Sequence, residues 1–161
     1  CLLKHVKKQT DEMCLESVKH CGLVLQFVKK QTNKLCLCAV KQNGFALQFV
    51  IKQTEQICVD AIEQNINASQ FVKNKTKKIL FQINFQQYIN NENQTEENVL
   101  YLVKYNGLVL KYIKNQTEQI CIEAVNQNGL ALKYVKNQTE QICKEAVKQN
   151  YIASTYIKQI Y

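Results

Sequence analysis

Arginine, proline and tryptophan are absent from this 161-residue chain, methionine occurs once, histidine twice and glycine four times. All 21 basic residues are therefore lysine, set against 13 acidic ones for a net charge of +8. Asn, Gln, Ile, Lys and Tyr are abundant, a bias that matches AT-rich coding. Without arginine, the side chain that most often reads base edges through paired hydrogen bonds is missing. No stretch approaches the roughly 18–20 apolar residues of a membrane span, and no basic-then-apolar secretory leader is visible. Besides His5 and His20 there is no phosphate-binding glycine loop, metalloprotease helix or nucleophile elbow. The chain reads as a non-enzyme with no cofactor and no catalytic group.

What is present is a repeat. The octapeptide KNQTEQIC occurs at Lys114–Cys121 and Lys136–Cys143, and IKQTEQIC at Ile51–Cys58. Equivalent threonines are Thr10, Thr32, Thr54, Thr76, Thr95, Thr117 and Thr139, so the period is 22 residues with one gap of 19. A fixed period in the twenties is the signature of a stacked array. The whole chain, residues 1–161, reads as one array: a partial repeat over 1–9, then repeats starting at 10, 32, 54, 76 (short and irregular), 95, 117 and 139. Cys1–Gln9 matches the second half of a repeat and Lys158–Tyr161 stops where another threonine is due. The expectation is a segment of a longer protein, with no polar capping repeat at either end.

Within Thr117–Gln138, apolar residues at Ile120, Cys121, Ala124 and Val125 form one helical stripe. Thr117 suits the N-cap and Glu118 the positive helix end. Asn128-Gly129 reads as the helix stop, with glycine in the left-handed conformation; where glycine is replaced, at Ile66 and Tyr151, Asn65 or Asn150 takes that role. The pairs 130/134 and 131/135 suit a second, shorter helix. The predicted fold class is all-α, an α-solenoid of about seven stacked 22-residue two-helix repeats. A leucine-rich repeat, the competing reading, would place Ile120, Ile122 and Ala124 on a short strand. The Ala/Val pairs at Ala39/Val40, Ala124/Val125 and Ala146/Val147 weigh against it, because a strand exposes one of each pair. In the short unit the second helix is lost in YINNENQ.

The phrases QICIEAVNQNGLALKYVKNQT and KLCLCAVKQNGFALQFVIKQT resemble short tandem helical repeats of unknown function found in proteins of mimivirus-like giant DNA viruses, with related copies in some bacteria. That resemblance implies a viral origin and a repetitive helical architecture. It supplies no catalytic residues or ligands.

Candidate sites are set by position in the repeat. Five cysteines (Cys14, Cys36, Cys58, Cys121 and Cys143) share one place on the buried stripe, where free cysteine acts as a small hydrophobe. Neither Cys36/Cys38 nor His20/Cys21 has metal-ligand spacing, so no metal is expected. The N-x-S/T sequences at Asn67, Asn74, Asn93, Asn115 and Asn137 are explained mostly by the capping threonines rather than by glycosylation. Lys7, Lys29, Lys73, Lys114, Lys136 and Lys158 stand three residues before a threonine position, and Lys19, Lys41, Lys104 and Lys148 nine after one. Both rows are placed in the last turn of a helix, where lysine complements the dipole. Tyr112, Tyr134 and Tyr156 align with Phe27, Phe49 and Phe71 and read as core, as does His5. Glu16, Asp60, Glu123 and Glu145 read as a solvated helix face.

The function predicted is a non-enzymatic scaffold for protein–protein interaction. Its surface is formed by the exposed residues Lys111, Lys133 and Thr155, aligned with Gln26, Gln48 and Gln70, together with Lys29, Lys73, Lys114, Lys136 and Lys158. The alternatives are a nucleic-acid-binding scaffold using the lysine rows, and a structural virion component that self-associates end to end. The setting predicted is intracellular (host cytoplasm or virus factory) or virion, with no membrane.

Overall fold

The computed structural model describes residues 2–158, and every regular element among them is helical. It divides into two compact units, Cys1–Ile89 and Asn90–Tyr161. Cys1 itself lies outside the described residues. The first unit contains a 3-10 helix η1 (Leu2–His5), then α1 (Asp11–His20), η2 (Gly22–Phe27), α2 (Asn33–Gln42), η3 (Gly44–Phe49), α3 (Glu55–Gln64), η4 (Ile66–Phe71) and α4 (Lys77–Ile89). The second contains α5 (Glu96–Tyr105), η5 (Gly107–Tyr112), α6 (Glu118–Gln127), η6 (Gly129–Tyr134), α7 (Glu140–Gln149) and η7 (Tyr151–Tyr156). In each unit consecutive α-helices pack side by side, consecutive 3-10 helices do the same, and the two layers enclose the core. The helical repeat stack is therefore present, and no strand occurs among the described residues, which removes the leucine-rich alternative.

The first helix of each repeat forms as its sequence dictates. All seven repeat threonines accept a hydrogen bond on Oγ1 from the backbone N–H three residues on, at 3.3–3.4 Å. Such a cap is worth about 1 kcal/mol. The stripe behind it is buried: Ile57, Ala61 and Ile62 in α3, and Ile120, Ala124 and Val125 in α6, are at most 2% exposed.

The second helix differs from expectation: it is a six-residue 3-10 helix. One buried series recurs every three positions, as Gly44/Leu47/Val50 and Gly129/Leu132/Val135, the period of a 3-10 helix, with Ala46 and Ala131 buried beside it. The asparagine before it caps it, Asn43 Oδ1 accepting from Phe45 N at 3.0 Å and Asn128 Oδ1 from Leu130 N at 3.1 Å.

Glycine also has a different cause. No glycine has positive φ, and Asn65 and Asn150 are extended at φ −155° and −152°, so no left-handed stop exists at these turns. A Cβ on Gly22, Gly44, Gly107 or Gly129 would instead lie 2.2–2.5 Å from the carbonyl oxygen of Ala39, Ala61, Ala124 or Ala146, in the next repeat. Glycine is the residue that lets the next α-helix approach. At the two repeats without it, Leu is replaced as well: the pairs are Ile66/Ser69 and Tyr151/Ser154. Beyond η4 the chain enters α4, a single 13-residue helix with no 3-10 partner, as the loss of the second helix in YINNENQ predicts.

Two glutamines per repeat complete the stack. Gln116 donates from Nε2 to Leu110 O at 3.2 Å and, in the next repeat, to Tyr134 O at 3.1 Å; its Oε1 accepts from Lys136 N at 3.0 Å. Gln9, Gln31, Gln53 and Gln138 bridge to the next repeat in the same way. A second glutamine, at the end of each α-helix, accepts the glycine N–H of the repeat before: Gly22 to Gln42 and Gly107 to Gln127, both 2.6 Å, with Gly44 to Gln64 and Gly129 to Gln149 alike.

Urea denaturation reads the weight of both devices. At negative φ with free space, Gly129→Ala would stabilise by about 0.4–1 kcal/mol; with the Ala146 carbonyl in the way it is expected to destabilise by about 1–3 kcal/mol. Gln116→Leu strands the Tyr134 carbonyl and Lys136 amide and is expected to cost about 1–3 kcal/mol, whereas Gln119→Leu on the exposed face of α6 should stay within about 0.5 kcal/mol.

Candidate functional site

Charge is divided between the two layers. Thirteen of the 21 lysines lie in the 3-10 helices and the loops that flank them, and none of the 13 acidic residues does. Twelve acidic residues sit on the α-helices beside the other eight lysines, and the thirteenth, Glu92, lies between α4 and α5. The 3-10 layer thus carries positive charge uncompensated within its own segments, while the α layer is net acidic.

All seven lysines predicted as a surface are exposed and belong to the 3-10 layer. Lys29, Lys73, Lys114, Lys136 and Lys158 are not in a last helical turn, contrary to the expectation from repeat position. They come after the 3-10 helix, two residues beyond its last residue. Their ammonium groups reach back along the stack instead: Lys29 Nζ to Lys7 O at 3.1 Å, Lys73 Nζ to Ile51 O at 3.4 Å, Lys136 Nζ to Lys114 O at 2.6 Å and Lys158 Nζ to Lys136 O at 3.2 Å. In the second unit the rungs run on from repeat to repeat, while in the first Ile51 interrupts the row between Lys29 and Lys73. Lys111 and Lys133 are in the last turn of η5 and η6, their Nζ 4.5 and 4.8 Å from the ring centroids of Tyr112 and Tyr134.

The second predicted row, Lys19, Lys41, Lys104 and Lys148, does occupy the last turns of α1, α2, α5 and α7. The carboxylates around it are not a purely solvated face. Asp60 is only 7% exposed, 3.4 Å from Lys41 in the preceding repeat, and Glu123 lies 3.7 Å from Lys104 in the same relation. Stacking brings these two acids against the lysine-bearing end of the preceding helix, whereas Glu16 and Glu145 pair with Lys19 and Lys148 of their own helices, and Glu16 alone of the four is fully on the surface.

Two core assignments need correction. Tyr112 is 46% and Tyr156 37% exposed, and only Tyr134 is half-buried like Phe27, Phe49 and Phe71. The hydroxyl keeps the ring at the edge of the layer, where its apolar body covers the core and its polar end stays wet. His5 is exposed rather than packed.

Cys14, Cys36, Cys58 and Cys121 are buried and Cys143 is partly so. Burial pushes all five thiols above their ordinary pKa, and Asp11, Glu55 and Glu118 push Cys14, Cys58 and Cys121 further. Two shallow clefts open at helix N-termini, one beside Asp11, Lys30 and Lys34 and one beside Lys52, Glu55 and Lys73; the sulfurs at their floors, Cys14 and Cys58, belong to this suppressed set. Among the described residues no cluster of His, Cys, Asp or Glu could hold a metal, and no helix is long and apolar enough to cross a membrane. In the native chain Cys21, which is exposed, should react with a thiol reagent at pH 8 well before Cys36, Cys58 and Cys121, because burial both hides those three thiols and raises their pKa; peptide mapping of the labelled sites checks the order.

Sequence reasoning found the lysine rows, Lys7 included, but not the lack of acid within their own segments, nor Lys4, Lys8, Lys30, Lys52 and Lys75 as members of the same layer. The signal was available: no Asp or Glu occurs in 2–9, 22–31, 44–53, 66–75, 107–116, 129–138 or 151–158.

No curated protein and no solved structure matches the chain. A family model does, described as a domain of unknown function (DUF4116), at residues 10–53, 95–138 and 117–160. The matched stretches cover more than half of the sequence and leave out 54–94, which holds the repeat of α3 and η4 and the irregular unit around α4. The chain belongs to this DUF4116 family.

Proposed function

We propose that the chain is a non-enzymatic repeat scaffold that docks a partner macromolecule along its 3-10 layer. The observation that carries this reading is the division of labour within each repeat. The threonine caps, the glycine approach and both glutamine bridges are spent on holding the stack together, while the 3-10 layer leaves exposed side chains in each unit that none of these contacts requires. Arrays with a fixed interior and a free face suit extended binding surfaces.

Two partner classes compete for that face. A protein partner is supported by outward positions that change between repeats, such as Gln26, Gln48 and Gln70 in the first unit against Lys111, Lys133 and Thr155 in the second. A nucleic acid is supported by the segregation of charge, which bears on every repeat and is the weightier of the two. A structural virion role adds end-to-end contacts, for which no observation speaks. The resemblance of the repeats to those of giant DNA viruses adds a viral setting to the proposal.

A photo-cross-linking residue at position 133, on the 3-10 layer, compared with one at exposed position 126 on α6, tests the face without naming the partner. Macromolecular adducts from 133 and few from 126 are the expected result in extracts of the natural host. No adducts, or equal adducts from both positions, would remove the reading.

A further inference from the structure

We propose that the partner of the 3-10 layer is nucleic acid, held by its phosphate backbone and without base reading; this rests on the 3-10 layer being the scaffold's docking face. Several features of the layer point the same way. Its thirteen lysines carry no acidic residue among them, so a polyanion meets no repulsive group from those segments. The pattern extends through both compact units: Lys4, Lys7, Lys8, Lys29, Lys30, Lys52, Lys73 and Lys75 in the first, and Lys111, Lys114, Lys133, Lys136 and Lys158 in the second.

The charges are also ordered. In the second unit the rungs from Lys136 to Lys114 O and from Lys158 to Lys136 O fix an ammonium group at the same place on consecutive repeats; in the first unit Lys29 and Lys73 are fixed in the same way on Lys7 O and Ile51 O, with Ile51 standing between them. Stacked helices lie about 8–10 Å apart, so the cations form a periodic line rather than a flexible cloud. A line of fixed cations matches a ligand that is itself a line of fixed anions, and the binding free energy then comes from released counterions. An acidic protein segment has a lower charge density and gains less from this arrangement.

The side chains present argue for backbone contact alone. Lysine is a point charge with rotatable donors, unlike the planar fork of arginine that pairs with guanine edges, and arginine is absent. Tyr112 and Tyr156 are exposed beside the lysines of the second unit, where a ring edge can meet sugar or base without selecting sequence. Lys30, Lys52, Lys111 and Lys133 are exposed and supply charge to the layer without the reach-back rungs, so they can be changed with those rungs left in place.

The test is fluorescence anisotropy of the full chain with labelled mixed-sequence oligonucleotides, single-stranded and duplex, across a salt series. The expected result is binding near physiological salt with little sequence preference and a steep salt dependence. K30Q/K52Q/K111Q/K133Q should weaken it and lower the log–log salt slope by about one for each phosphate no longer neutralised. K19Q/K104Q/K144Q/K148Q removes the same charge from the α layer and should leave the slope nearly unchanged. Absence of binding above a generic basic protein overturns the proposal, as does equal weakening in both variants, which would make net charge the cause. Competition by polyglutamate as effective as by unlabelled oligonucleotide would also overturn the nucleic-acid assignment while leaving the scaffold reading intact. Cross-links from position 133 to protein alone, with no anisotropy change, would separate the two in the same way.

Discussion

One side-chain amide holds the end of each regular 3-10 helix to the repeat before it. The glutamine before the repeat threonine has two donors and an acceptor, and in the regular repeats it spends them on backbone groups of two successive turns. The backbone groups at the end of a 3-10 helix have no partner of their own, since so short a helix leaves many carbonyls open. Gln116 closes that gap by taking the Tyr134 carbonyl and the Lys136 amide at once. The 3-10 helix is tolerable only because the neighbouring repeat completes it. No repeat can therefore be stable alone, which is the general condition of a stacked array.

The same constraint explains where the stack lapses. Around the irregular unit three stacking residues fail together: glycine becomes Ile66, leucine becomes Ser69 and the bridging glutamine becomes Lys75. There is no 3-10 helix after α4 for that glutamine to hold, so nothing keeps it glutamine. The division of the chain into units ending at Ile89 and starting at Asn90 accords with these losses. Asn91, the one non-glycine residue with positive φ among the described residues, at 60°, turns the chain there.

How much of this was legible in the sequence depends on which neighbour a residue answers to. Thr117, Cys121 and Ala124 act within their own helix, and their spacing predicts what they do. Gly129 and Gln116 act on the following repeat, and local rules misassign the first and pass over the second. A glycine after asparagine suggests a left-handed stop, yet its cause is the Ala146 carbonyl 17 residues on. The repeated Gln was in plain view as the middle letter of KQT and NQT; a polar residue kept at every regular repeat and explained by no cap was the available signal. The spacing of three in Gly129/Leu132/Val135 likewise distinguished a 3-10 helix from the α-helix that the four-residue pairs suggested. For the candidate site, the lysines were visible as positions, but their common layer required knowing that the α-helices and the 3-10 segments form separate sides.

Amide hydrogen exchange at Lys136 tests the central claim most directly. This amide lies in an exposed bend, outside any helix, and its acceptor is Gln116 Oε1 at 3.0 Å. The account predicts protection comparable to the core of α6 in the native chain and its selective loss in Gln116→Leu, with the α6 amides still slow. Rapid exchange at Lys136 in the native chain would contradict it, because the bridge between repeats would then not be closed.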